Sequence, residues 1–237
     1  MIEEADVTRE KAWYHEDLAK IVIKHLEKGH IDGRYAKTRK EALAIVLDLI
    51  PEGAVVGRGD SVTLEQIGVF QALIERNKNT IINPYVKDEN GHFPVVEERR
   101  KLQREALLSD VFLTGTNAIT MDGKIVSIDG AGNRVAAMIF GPKKVIVITG
   151  VNKIVKDVDD AINRIHRISA PLNGKRHMLK HGLDEGHGTL PCIKTGTCTD
   201  CKKHKYRMCR YTVIIEGTAR FDKGRMHVVL VGEELGY

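Results

Sequence analysis

Aromatic residues are scarce in this 237-residue chain, at 5% with a single Trp. That scarcity argues against a platform of stacked rings for single-stranded nucleic acid. No apolar run approaches the roughly 18 residues needed to span a bilayer. The first residues, MIEEADVTREKAWYHEDL, are charged and lack the apolar stretch of a secretion signal, so a cytoplasmic location is expected. Neither an internal repeat nor a low-complexity segment is present, and paired-finger spacing and a helix-turn-helix pattern are also missing, which again speaks against nucleic acid as a partner. What remains is an aliphatic-rich chain long enough to bury one α/β core.

Cysteine is scarce too, but all four residues fall within one stretch, PCIKTGTCTDCKKHKYRMCRY, at Cys192, Cys198, Cys201 and Cys209. Two disulfides would require an oxidising compartment, at odds with the N-terminus. Thiolates gathered in this way suit a tetrahedral zinc or an iron–sulfur cluster. Cys198 and Cys201 form one CxxC, while the outer two stand farther off, so the pattern is only half a zinc ribbon. An iron–sulfur cluster is therefore slightly preferred to zinc. His177, His181 and His187 fit loop positions, with a ligand role as their alternative. Between Pro171 and Arg210 nine Lys and Arg stand against three acids, within a chain of net charge +5. Such a patch would offset a thiolate site or attract an acidic or phosphate-bearing ligand.

The chain reads as a single domain over 1–237, with an N-terminal helix inside 1–35 and the basic, cysteine-rich, metal-binding segment at 171–210 inserted before the last strands. Helical spacing is expected over Thr8–Lys28, ended by Gly29, with Gly33–Lys37 as a turn or short extended link. Thr38 caps a second helix with Glu41 as its capping-box partner. Trp13 and Tyr14 fit a packing anchor for the first helix or a contact in a homo-oligomer. Further strands are expected after Gly53, over Thr80–Tyr85, over Asp110–Thr114 and over Lys144–Thr149. Asp122-Gly123 forms a hairpin turn.

Three loops, at 57–61, 114–117 and 129–134, leave strands in this β/α alternation. In open parallel sheets, ligands bind beyond the carboxyl ends of the strands. Gly57 and Gly59 allow close backbone approach, and Ser61 and Thr63 can contact a ligand or cap a helix. Gly115, Thr116, Asn117, Gly130, Asn133 and Arg134 are further ligand-binding candidates, their alternatives being turn, cap and salt-bridge roles. Lys153, just past the strand ending at Thr149, could hold a carboxylate or phosphate, or cap a carbonyl.

The run NAITMDGKIVSIDGAGNRVAAMIFGPKKVIVITGVNKIVKDVDDAINRI, preceded by GDSVTLEQIG and followed by APLNGKR, the cysteine segment and VVLVGEELGY, resembles the LUD (lactate utilisation, DUF162) family. The likeness runs from about Ala36 to the C-terminus. It implies an α/β fold with a mostly parallel sheet flanked by helices, similar to the NagB, ribose-5-phosphate isomerase and coenzyme A transferase superfamily. It also implies a part in lactate oxidation beside iron–sulfur oxidoreductase partners. Related enzymes carry an acid where this chain has Asn117, and a neutral amide is no general base at pH 7. Asp122 or Asp129 would have to act as the catalytic carboxylate instead. The expectation is a redox-pathway subunit with a four-cysteine iron–sulfur or zinc site and a glycine-loop cleft for a small anion. The alternative is a transferase-like, isomerase-like or ligand-binding protein with a structural zinc.

Overall fold

The structure, a computed structural model, describes residues 6–182 and 185–237. The first five residues of the expected N-terminal segment and the side chain of His187 lie outside that description. Helix α1 (Thr8–Lys28) buries Ala19, Val22 and Leu26, one stripe at helical spacing, and stops at Gly29. Strand β1 (Asp32–Ala36) follows. Helix α2 (Arg39–Asp48) begins at a capping box in which Glu41 N donates to Thr38 Oγ1 (3.2 Å) and Glu41 Oε2 accepts from Lys37 N (2.8 Å).

Next come β2 (Val55–Arg58), α3 (Val62–Ile67), α4 (Val69–Arg76), β3 (Thr80–Ile82) and α5 (Val96–Glu105). The chain continues through β4 (Val111–Gly115), β5 (Ala118–Thr120), β6 (Ile125–Asp129), α6 (Asn133–Ile139), β7 (Lys144–Gly150) and β8 (Ile154–Val155). Helix α7 (Val158–Arg164) runs through a π-helical turn, Ile165–Ser169, into α8 (Ala170–His181). A short α9 (Pro191–Thr195), β9 (Tyr211–Ile215) and β10 (Met226–Val231) complete the order.

Six strands form one parallel sheet in the order β1-β10-β7-β4-β2-β3. Helices cover both faces, which is why KVIVITG and MHVVLV read as nearly continuous apolar runs rather than alternating ones. The two-residue period still sorts the side chains. Leu113, Ile146, Ile148 and Val229 pack with α2, α3 and α4, whereas Phe112, Val145, Val147 and Val228 pack with α1 and α6. A second sheet, β8-β5-β6-β9, stands beside the latter layer and buries Ala118 and Val126 against Ala161 and Ile165 of the α7 stretch. Its hairpin turns at Gly123, whose φ of +85° suits glycine.

The stretch expected as a turn or short extended link at Gly33–Lys37 is extended, and it forms the edge strand β1, paired in parallel with β10 from Asp32↔His227 to Ala36↔Val231. Backbone pairing needs no apolar pattern, and DGRYA carries none. Trp13 is 66% exposed, so it does not anchor α1 within this chain. His177 and His181, expected in a loop, sit on α8 with their rings stacked 5.5 Å apart. Among the described residues, no helix is long and apolar enough to cross a membrane.

Candidate functional site

The loops leaving the carboxyl ends of β2, β4 and β7 open on a cleft of about 500 Å³, the position that parallel sheets favour for ligands. Of the residues singled out from sequence, Ser61, Thr63, Gly115, Thr116, Asn117, Asp129, Gly130, Asn133, Arg134 and Lys153 line it; Gly57, Gly59 and Asp122 do not. Gly57 lies where a Cβ would come within 2.9 Å of Ser109 Oγ, and Gly59 packs on the stem of Arg134. These two glycines permit packing behind the cleft. Asp122 sits in the β5–β6 hairpin, half exposed, where it accepts from Thr120 Oγ1 and pairs with Lys124 (3.2 Å).

Arg134 ties the loops together. Its Nη1 donates to Gly115 O (3.2 Å) and Ser127 Oγ (3.0 Å), and its Nη2 to Asn117 Oδ1 (3.1 Å) and Ile128 O (2.9 Å). Its Nε faces Asp129 Oδ2 at 3.6 Å. The other Asp129 oxygen accepts from the N–H groups of Ala131 and Gly132, both at 2.9 Å, and so holds the turn into α6. The Asn117 oxygen also accepts from Ile128 N (2.9 Å). Thr116 Oγ1 is engaged with Ala118 O, Val126 O and Ser127 Oγ. Asn133 Nδ2 donates to Tyr85 Oη (3.3 Å). Gly130 lets the backbone of Met208 approach, since a Cβ would stand 2.9 Å from Met208 O.

Ser61 precedes α3 but makes no capping bond. Its hydroxyl occupies the space a Gly115 side chain would need, 2.6 Å from that Cβ position. Lys153 lies at the floor, 4% exposed, on the turn Val151–Lys153 that follows β7. Its Nζ donates to Thr63 Oγ1 and Thr116 O, both at 3.2 Å. Burial, with Arg164 and Arg134 nearby, lowers its pKa to about 7.

The opposite wall was not legible in the sequence as part of this site. Asp60 receives both Arg176 Nη groups (2.9 and 3.1 Å) and Lys180 Nζ (3.4 Å). Burial favours its neutral form, but the Arg176 hydrogen bonds and charge, with Lys180, hold the carboxyl well below the usual range. Lys180 Nζ also lies 4.6 Å from the centre of the Phe93 ring. His177, Lys180 and His181 line the cleft because residues three and four apart share a helix face. That spacing was the available signal. Burial raises the Tyr85 pKa, so its hydroxyl stays neutral. Among the described residues, eight Lys and Arg line the cleft against two acidic side chains, Asp60 and Asp129.

The expected metal centre is corrected. Among the described residues, no group of three or more His, Cys, Asp or Glu side chains is arranged to hold a metal ion. Cys192, Cys198, Cys201 and Cys209 are free thiols. Cys192 is buried on α9, and the Cys198 thiol turns to the carbonyl of its neighbour Thr199 (3.6 Å). Burial, with the other thiols of the segment, pushes Cys209 up to about 11. Closeness in sequence did not become a ligand set, so neither the iron–sulfur nor the zinc expectation stands, and the redox-subunit reading built on them falls too.

An α/β protein with a cationic cleft at its strand ends is the class so defined. The chain matches the LUD domain over residues 19–231 and belongs to that family. A DUF162 family protein from Deinococcus radiodurans has a similar structure, with a TM-score of 0.50 and 11% sequence identity over 92% of this chain and 97% of that one. The likeness shows the fold alone. eIF2B delta from Chaetomium thermophilum matches over 62% of this chain and 54% of its own, at 17% identity and a TM-score of 0.29. A search of the curated proteins found no match.

Proposed function

We propose that the cleft binds a small organic anion, a carboxylate or a phosphorylated molecule, and that this binding serves hydroxy-acid utilisation in the cytoplasm. The observation that carries the reading is Lys153. Among the described residues its buried ammonium has a hydroxyl and a carbonyl for hydrogen-bond partners, and no carboxylate pairs with it. Burying an unpaired charge is costly. An anion in the cleft would relieve that cost, and the excess of cations around the rim would raise its local concentration.

The carboxylates are poorly free for base chemistry, because Asp60 is held by two cations and Asp129 by two N–H groups and Arg134. Binding therefore rests on cations and hydroxyls, with Ser61 and Thr63 placed to donate to an anionic oxygen.

Titration calorimetry at fixed ionic strength with L-lactate, pyruvate and ribose 5-phosphate tests this reading. At least one should bind the wild type, and Lys153→Met should lose that binding while keeping its circular-dichroism spectrum. No binding by any of the three, or equal binding by the variant, would refute it.

A further inference from the structure

We infer that Lys153 captures a carbonyl: its Nζ attacks C2 of a small 2-oxo acid held in the cleft and forms an imine. This rests on the reading of the cleft as an anion site and names the substrate class it would take.

The inference starts from placement. Lys153 sits on a tight turn directly after a core strand and is 4% exposed, yet it lines the cleft. Two acceptors at 3.2 Å fix the amine without neutralising it. A carboxylate partner would hold the nitrogen as an inert ammonium, and none among the described residues pairs with it.

Two guanidinium groups reinforce this from fixed positions. Arg164 donates to Asn152 O (3.1 Å), Asn117 O (2.9 Å) and Ser169 Oγ (2.9 Å), all neutral acceptors. Its charge is therefore not compensated by any carboxylate among the described residues. Arg134 is anchored as described above and shares only Asp129. Neither can swing away, so both disfavour a second positive charge at Nζ. Burial and these two cations bring the amine to about 7, and a desolvated lysine among cations is one recognised form of activated amine nucleophile.

The step balances without oxidant or reductant. The neutral amine adds to C2, the carbonyl electron pair moves to oxygen, and the C–O bond then breaks as C=N forms. Oxygen leaves as water with the two amine hydrogens. Thr63 Oγ1, 3.2 Å from Nζ, is placed to pass a proton between nitrogen and oxygen. The substrate carboxylate supplies the charge that Arg164 lacks.

Pyruvate with cyanoborohydride tests this on the full chain, the reductant serving only to trap the imine. Intact mass should gain one reduced pyruvyl adduct, and peptide mapping of the wild type should place it on Lys153, with L-lactate competing. The trapping rate should be half-maximal near pH 7, where an exposed lysine with a pKa of about 10.4 scarcely reacts. Lys153→Met should lose the adduct. An adduct spread over lysines as in the urea-unfolded chain would overturn the inference. So would pyruvate binding by calorimetry with no adduct, which leaves the anion site standing. Absence of an adduct together with no binding of pyruvate, L-lactate or ribose 5-phosphate would overturn both.

Discussion

Two lysines, one half-buried and one buried, line the same cleft and find different partners. On the wall, Lys180 joins Arg176 around Asp60, and the carboxylate is held ionised by its partners. On the floor, Lys153 donates to two neutral oxygens, pairs with no carboxylate among the described residues, and is lowered to about 7. The wall holds two cations that share one carboxylate supplied by the protein itself. The floor carries charge that is left open and can be switched by a ligand or by a proton. The difference separates architecture from chemistry within one cavity.

The largest effect should come from the residue that holds the floor in place. Arg134→Met strands four acceptors and leaves Asp129 buried without its cation, and breaking such a buried pair costs about 3–5 kcal/mol. Urea unfolding should show that loss; a change below about 1 kcal/mol, the scale of an ordinary surface substitution, would mean the loops are held by something else.

Lys153→Met should move stability the other way. A lysine whose folded pKa lies below its unfolded value penalises folding fully below the folded pKa, and the penalty is relieved as pH rises toward the unfolded pKa. Wild-type stability should therefore rise between about pH 7 and pH 10, through relief of a penalty on the order of a few kcal/mol. The variant should lack that rise. An unchanged slope would place the titrating charge elsewhere.

Asp60→Asn probes the paired wall. Removing the carboxylate leaves two cations partly buried, at a cost of about 1–3 kcal/mol. The sign of its pH dependence is opposite in origin. Asp60 has a folded pKa below the unfolded value of about 3.9, so its contribution is full above that pH and is lost as pH falls toward the folded value. The wild type should lose stability on acidification below about pH 4, and the variant should lose less. Parallel acid profiles would show that Arg176 and Lys180 do not depend on Asp60.

Much of the fold could be read from local patterns. The bounds of α1, the Thr38–Glu41 cap and the Asp122-Gly123 turn depend on residues close in sequence, so their signals are local. Strand β1 depends on β10, nearly the whole chain away, and its own residues show no apolar pattern. The strand-end loops were legible because parallel sheets place ligands there, whereas the Asp60–Arg176 pairing joins residues 116 positions apart. Arg134 could be named but not understood: its four acceptors lie at the end of β4, in the loop after it and on β6. The cysteines show the converse, since a short spacing in sequence looks like a ligand set until the backbone is in place.

The smallest effect should therefore be at the cysteines. Cys198 sits in an irregular run of the 171–210 segment, and its thiol donates to the adjacent carbonyl of Thr199. Cys198→Ser keeps a donor of similar size there, so its effect should lie within about 0.5 kcal/mol. Adding EDTA should leave the melting temperature of the wild type unchanged, because no ligand set among the described residues ties this segment to a metal. A structural zinc or cluster behaves otherwise, as its binding free energy is folding free energy and chelation unfolds what it holds. If chelation or Cys198→Ser lowered the melting temperature by several degrees, the wall would depend on a metal after all. The contrast between an internally compensated wall and an open floor would then have to be redrawn with a metal in the wall.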